Sequence, residues 1–375
     1  MDTDAEQLVG ELVRSEPTIR ERRLRIAMVT SLRPQCGIAD YSRLLLNHLG
    51  QLVEMAWVAP PDGFSAVMNE ADVIHIQHQY FLFGGVAPWK NWFGKLADQI
   101  TAPVVMTVHE FAEPSGNLAQ RLAIAATNQA QFRHSAIKAF VVHTEADRQC
   151  LIALGVEPDR VQVMPHPVPP RPVLPPRAEA KRLLGLEDAF VLTIFGFLAR
   201  RKGHLLAIEA LRQLPPVFHL LFAGGVHPDD RTNYERDLRA AIQSAQLGDR
   251  VRITGYLEPV DVATVMSATD VVLAPFSAGS GSGSLSLAFA CGKAVVATAI
   301  PANVEIQRRV PGTLLLVPPN DPRELRDAVL RLFRDRRALT RLAEGSVRYA
   351  AQYTYARMAE DTVRLYRAVA ATQTL

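Results

Sequence analysis

Between Val271 and Ala299 the chain reads V-V-L-A-P-F-S-A-G-S-G-S-G-S-L-S-L-A-F-A-C-G-K-A-V-V-A-T-A, and few folds accommodate that order. Val271 to Pro275 is short, apolar and rich in β-branched residues, the composition of a strand buried on both faces. Ser277 to Ser284 is Gly and Ser but for one Ala, so it offers no side chains with which to pack a core. Leu285 to Cys291 is small and apolar over two helical turns, Gly292 supplies a helix C-terminus, and Ala294 to Ala299 starts a second strand. A Gly-Ser tract alone reads equally well as flexible surface. Set between a buried strand and an apolar helix, it belongs to a βαβ unit. There it presents backbone N–H groups beside the positive end of a helix dipole, which suits an anion and above all a phosphate.

Counting excludes two familiar phosphate motifs. In a P-loop ending at Gly292-Lys293, Leu287 would stand at the first glycine position and Ala294 at the Ser/Thr position. A dinucleotide fingerprint starting at Gly279 or Gly281 meets Ser284 or Ser286 where its third glycine belongs. The chain therefore reads as neither an NTPase nor a dehydrogenase.

At 375 residues it exceeds what one core usually supports, so two domains are expected. Residues 1–170 hold 14 Lys+Arg against 18 Asp+Glu and residues 171–375 hold 27 against 20, which places an anionic ligand on the second half. The basic residues are scattered, without the stripes and aromatic platforms of nucleic-acid binding. The acidic start and the lack of an apolar run of spanning length predict a cytoplasmic chain. Cys36, Cys150 and Cys291 lack C-x-x-C spacing and read as reduced thiols, not as a disulfide framework or zinc site.

Arg25–Ser31 is a strand, followed by a Pro-Gly turn and a helix through Tyr41, Leu44, Leu45 and Leu49, the opening of a parallel α/β domain. Further strands are predicted at 54–59, 72–77, 103–108 and 139–142, with helices at 89–99 and 117–138. Ligands of such sheets bind at the carboxyl ends of strands, which here carry His75 to Tyr80 and His109-Glu110-Phe111. One such histidine can simply cap a carbonyl; three with a carboxylate suggest a site, with His78, Tyr80 and Glu110 among its candidates. No helical His/carboxylate spacing supports a metal, and no cofactor is expected.

Pro165–Pro176 contains seven prolines, a stiff connection. Beyond it the pattern restarts: a strand at 190–195, the basic turn Gly196 to Gly203, a helix at 204–214, strands at 219–223 and 251–254, helices at 229–246 and 259–268, then the opening stretch. Arginine-rich helices at 321–342 and 355–370 close the chain. The predicted organisation is an extension (1–22), a Rossmann-like domain (23–164), a proline-rich linker (165–177), a second Rossmann-like domain (178–354) and a terminal helix (355–375) packing back on the first domain. Two α/β domains joined this way imply a ligand cleft between them.

The motifs C-G-I-A-D-Y-S, H-I-Q-H-Q-Y-F-L-F-G-G, V-V-M-T-V-H-E-F, V-M-P-H-P-V, G-F-L-A-R-R-K-G-H-L-L-A-I-E-A-L, A-C-G-K-A-V-V-A-T, N-V-E-I and L-V-P-P-N-D-P-R-E-L occur in this order, within a resemblance that covers residues 24–368. Together they resemble the retaining glycosyltransferases of family 4, with the two-domain GT-B fold. The resemblance implies a hexosyltransferase that binds a nucleotide-diphosphate sugar on the second domain and a hydroxyl acceptor on the first. It implies that Lys202 neutralises the donor diphosphate, Gly37 lies where backbone approaches the β-phosphate, His109 faces the donor sugar and Glu305 is the acidic residue of the family's P-E-I/L segment. Retention in such enzymes comes from same-face attack, with the leaving phosphate accepting the proton.

Two departures are visible. The family's arginine after the glycine is Phe197 here, which leaves Arg200 or Arg201 to supply the second cation. The family's E-x7-E pair falls at Gly279 and Leu287, which can make neither sugar nor ribose contacts of that kind. One reading gives donor binding to Ser280, Gly281, Ser282, Gly283, Ser284 and Leu285, with Lys202 and Arg201 assisting departure and Asp40, His109 and Glu110 as bases should the route invert. An inactive partner protein, a nucleotide-sugar epimerase and a phosphorylase remain as alternatives. The acidic first domain favours a soluble acceptor over a membrane-bound one.

Overall fold

The computed structural model describes residues 22–61, 66–112, 116–227, 232–279 and 281–372; Ser280 and, apart from Arg22, the expected extension lie outside them. In chain order the helices and strands are β1 (Arg25–Val29), α1 (Gly37–Leu52), β2 (Glu54–Ala59), β3 (Val73–His78), α2 (Phe93–Ala97), β4 (Val104–Val108), α3 (Leu118–Phe132), β5 (Ile137–Val142), α4 (Glu145–Ala153) and β6 (Val161–Val163). There follow α5 (Arg177–Leu184), β7 (Phe190–Phe195), α6 (His204–Arg212), β8 (Phe218–Ala223), α7 (Tyr234–Ser244), β9 (Val251–Ile253), α8 (Pro259–Ala268), β10 (Val271–Ala274), α9 (Gly283–Ala290), β11 (Ala294–Thr298), α10 (Pro301–Arg309), β12 (Leu315–Val317), α11 (Pro322–Arg334), α12 (Arg336–Gln352) and α13 (Tyr355–Ala371).

These elements form two compact units. Unit 1 takes the described residues up to Val142, Arg148–Met164 and those from Ala356 onward; unit 2 takes His143–Asp147 and Pro165–Tyr355. Each is built on a parallel six-stranded sheet, ordered β2-β1-β3-β4-β5-β6 in unit 1 and β12-β11-β10-β7-β8-β9 in unit 2. In both, the strand order reverses beside the first strand of the unit, the Rossmann-like arrangement that leaves ligand room at the strand ends.

The central strands β3, β4, β10 and β11 are buried along their whole length. Their Val, Ile and Leu side chains each contribute about 1.5–3 kcal/mol by leaving water, so this burial drives both units to fold. Helix α3 starts where Asn117 and Gln120 form a reciprocal capping box. The helix predicted over 89–99 is only Phe93–Ala97, because Asn91 bonds Gly85 O at 2.7 Å and the Phe93 N–H at 3.1 Å and so holds a turn. The helix predicted over 321–342 is two. Asp335 interrupts it and accepts from the N–H groups of Arg337 and Ala338, starting α12.

One buried ion cluster ties unit 2 together. Asp270 accepts from Lys181 Nζ at 3.0 Å, from the Val191 N–H at 2.8 Å and from Arg177, while its side chain is only 3% exposed. Helix α5, the start of β7 and the start of β10 therefore share one carboxylate.

Candidate functional site

In unit 2 two turns meet at the carboxyl ends of β7 and β10. Strand β7 is followed by Gly196, whose φ is +94° and where a Cβ would stand 2.5 Å from Lys202 Nζ and 3.7 Å from Ser284 Cβ. That φ favours glycine, and a side chain there would displace the ammonium from where it stands. Lys202 then donates to Phe195 O at 2.9 Å and lies almost fully buried beside the start of α9. The second turn is fastened to the first by the Ser277 N–H, which donates to Arg201 O at 2.8 Å.

Helix α9 begins at Gly283, two residues before the predicted start, because Ser282 caps it. Ser282 Oγ accepts from the Leu285 N–H at 3.4 Å and bonds Ser284 Oγ at 2.9 Å. The Leu285 N–H is thus committed to the cap and its side chain to the core, which leaves Gly283 and Ser284 to present backbone N–H groups. Gly281 seats the loop. A Cβ there would lie 2.8 Å from His143 Cβ and 2.9 Å from His166 Cβ. His166 is in turn held by Ser286 Oγ at 3.0 Å, and its burial, with His143 beside it, holds its pKa down at about 3. Gly281→Ala should push the loop off this pair and cost about 1–3 kcal/mol, measurable as a lower Tm together with weaker nucleotide binding.

The electrostatics suit an anion. Burial, and then the Arg201 charge, lower the Lys202 pKa from 10.5 to about 7. The unfolded chain therefore holds this proton more tightly between about 7 and 10.5, so the Lys202 contribution to stability rises with pH across that window. A bound diphosphate reverses the preference and draws the proton back. Calorimetry of nucleotide binding near pH 8 in buffers of different ionisation enthalpy should show net proton uptake, and none with Lys202→Met.

The structure separates the other candidates. Arg200 is turned away, paired with Asp237 and stacked 5.0 Å over the Tyr234 ring, both residues of α7; Arg201 is the arginine at the loop, with its guanidinium 3.7 Å from where a Gly279 Cβ would be. Glu305 is buried, and its carboxylate is taken by the Glu145 N–H at 2.8 Å and by Arg309 at 2.6 Å. It braces the wall of a pocket, shared with His143, His166, Ser282, Ser286 and Arg309, more than it offers an acceptor to donor.

In unit 1 the three strand-end histidines do not converge. Alternation along β3 points His78 into the apolar core, stacked on Phe83 at 5.6 Å and bonded to Gln131 at 2.9 Å, with burial holding its pKa near 4. Tyr80 is buried as well, donating to Asn128 at 2.6 Å and accepting from the Ala112 N–H at 3.1 Å; burial lifts its pKa to about 12. Both brace α3 and are buried there. Glu110 is exposed, accepting from Gln79 at 2.9 Å, and Asp40 is exposed and paired with Arg43 at 3.3 Å. Gly37 opens α1 with no side-chain cap on that helix, and a Cβ on it would meet nothing within 4 Å. His109 is half-buried, bonded to Gln77 Oε1 at 2.8 Å and set edge-on to Tyr41 at 4.8 Å. Among the described residues no group of three or more His, Cys, Asp or Glu is placed to hold a metal, and no helix is long and apolar enough to cross a membrane.

The family model for Glycosyltransferase Family 4 matches residues 54–171, and the model for Glycosyl transferases group 1 matches residues 189–335, one on each half of the chain. The chain belongs to the family 4 glycosyltransferases. Its activity is accordingly glycosyl transfer from a nucleotide sugar. Among similar proteins, the D-inositol 3-phosphate glycosyltransferase of Stackebrandtia nassauensis is 30% identical over 245 residues, covering 61% of this chain and 53% of its own length. That of Kineococcus radiotolerans is 28% identical over 343 residues, covering 81% and 75%. The fold is that of Anabaena HepE in complex with UDP-glucose, with a TM-score of 0.71 at 18% identity over 91% of this glycosyltransferase and 100% of that chain. Sucrose-phosphate synthase from Thermosynechococcus elongatus gives 0.72 at 21% identity, over 93% and 100%. These likenesses place both sheets in the GT-B class. Within this glycosyltransferase Gly279 has a φ of +149°, and Leu287 is partly buried, packed on the core beneath α9.

Proposed function

We propose that this glycosyltransferase holds the diphosphate of its donor between Lys202, Arg201 and the Gly283 and Ser284 N–H groups, and transfers the sugar to a hydroxyl of a soluble polyol or sugar. The single observation that carries the reading is the approach of the buried Lys202 ammonium to the first turn of α9. As the anomeric C–O bond breaks, charge collects on the departing diphosphate, and a fixed cation with preorganised N–H donors stabilises it there. The acceptor oxygen attacks the anomeric carbon and its proton passes to the departing phosphate oxygen, so that no protein base is needed and configuration is retained. In unit 1 the family resemblance assigns His109 to the donor sugar and Gly37 to the phosphates. Ser282 acts indirectly, by capping the helix that presents the donors.

UDP sugars are the first donors to test, since HepE was crystallised with UDP-glucose. Inositol phosphates are the first acceptors, from the D-inositol 3-phosphate glycosyltransferase relatives. We place the activity in the cytoplasm, where the thiols of Cys36, Cys150 and Cys291 would stay reduced. NMR of the product formed from an α-linked donor tests the stereochemistry: an α-linked product is expected, and a β-linked one overturns retention.

A further inference from the structure

We propose that the C-terminal helix α13 positions His109 through a buried relay, Tyr366–His75–Gln77–His109, which holds the His109 ring with its proton on Nε2. Its catalytic meaning rests on the reading of His109 as a donor-sugar group; the relay itself lies wholly within unit 1.

The same alternation that buries His78 among phenylalanines puts His75 and Gln77 together on the opposite face of β3. Both are at most 1% exposed. His75 Nδ1 bonds Tyr366 Oη of α13, itself fully buried, and His75 Nε2 lies 2.8 Å from Thr107 Oγ1 and 3.3 Å from Gln77 Nε2. Gln77 Oε1 then meets His109 Nε2 at 2.8 Å. An apolar residue at 75 or 77 would fill the same sheet face without the cost of burying polar groups. The four side chains in series lead instead to a half-buried ring at the strand end, where ligands of such sheets bind.

The proton order follows from the contacts. The amide nitrogen of Gln77 faces the weak acceptor Met28 Sδ at 3.6 Å, which orients its oxygen toward His109. That nitrogen and the Thr107 hydroxyl both donate to His75 Nε2, so the His75 proton sits on Nδ1 and is donated to Tyr366 Oη. Gln77 Oε1 accepts from His109, whose proton is thereby on Nε2. The links are coupled. Without the Tyr366 oxygen, the His75 Nδ1–H is buried with no acceptor, His75 changes tautomer, its Nε2–H faces the Gln77 amide, the amide turns over, and His109 loses its acceptor. A second contact from the same helix supports the ring from another side: Tyr41, edge-on to His109, donates to Met358 Sδ at 3.2 Å.

The test is NMR of the full chain carrying 15N-labelled histidine, with His109 signals assigned by their loss in His109→Ala. The nucleotide-free protein should show neutral His109 as one tautomer, protonated on Nε2. Tyr366→Phe keeps the ring and should convert this to a mixture of tautomers while Tm stays near that of the parent; Gln77→Leu should do the same from inside the chain. A His109 tautomer unchanged in both variants, or protonation on Nδ1 in the parent, overturns the relay. If the variants respond as expected but none of UDP-, GDP-, dTDP- or ADP-glucose shifts the His109 signals, the relay stands and the assignment of His109 to the donor sugar fails.

Discussion

Lys202→Ala should lower glycosyl transfer by about 100- to 1,000-fold, the cost of removing one fixed stabiliser of developing charge. The loss should appear in kcat as well as kcat/KM, because the diphosphate carries more charge in the transition state than in the bound donor. The fold should survive. Burial already disfavours the charged form, so losing the ammonium removes an unfavourable burial along with one bond to Phe195 O. Lys202→Arg should not restore activity, since a guanidinium is wider than an ammonium and Nζ already stands 2.5 Å from where a Gly196 Cβ would be. Full activity in Lys202→Ala would remove the diphosphate from this turn.

Asp270→Ala should destabilise unit 2 by about 3–5 kcal/mol. It removes the acceptor shared by Lys181, Arg177 and the Val191 N–H and leaves the Lys181 ammonium buried without its counter-charge. On a unit of this size that corresponds to a fall in Tm on the order of 10 °C. The double variant Lys181→Met with Asp270→Leu should recover much of the loss, because an apolar pair of similar volume avoids the desolvation that the ion pair offsets. Calorimetry of the three proteins checks both statements; a single variant melting within 2 °C of the parent, itself a threshold of about 1 kcal/mol, would show that the cluster contributes little.

Much of the fold was legible because buried parallel strands are continuous apolar runs. Phe190–Phe195 and Glu54–Ala59 have the predicted limits, and so does the helix Pro259–Ala268, which proline opens. What escaped was short or held from afar. Strand β6 has three residues, and α4 carries no strong apolar periodicity.

The course of the loop between β10 and α9 was readable for a local reason: glycine and serine there answer to backbone geometry within one βαβ unit. The separation of Arg200 from Arg201 was not, since it depends on Asp237 and Tyr234 more than thirty residues on. Glu305 escaped likewise, because the N–H it caps belongs to Glu145. On the acceptor side the error was one of face. Period-two alternation alone groups His75 with Gln77 and sets His78 apart, and applying it along H-I-Q-H would have moved His78 into the core. The reach of Tyr366 back to His75, 291 positions apart, had no local signal at all.

The central claim, that unit 2 receives a nucleotide diphosphate at Lys202 and the start of α9, is tested most directly by thermal unfolding with UDP, GDP, dTDP and ADP in turn. A nucleotide at about 100 times its Kd adds roughly 2.7 kcal/mol, which should raise Tm by several degrees. One nucleotide should do so for the parent chain and not for Lys202→Ala. Equal stabilisation of both proteins, or none of either, would contradict the claim.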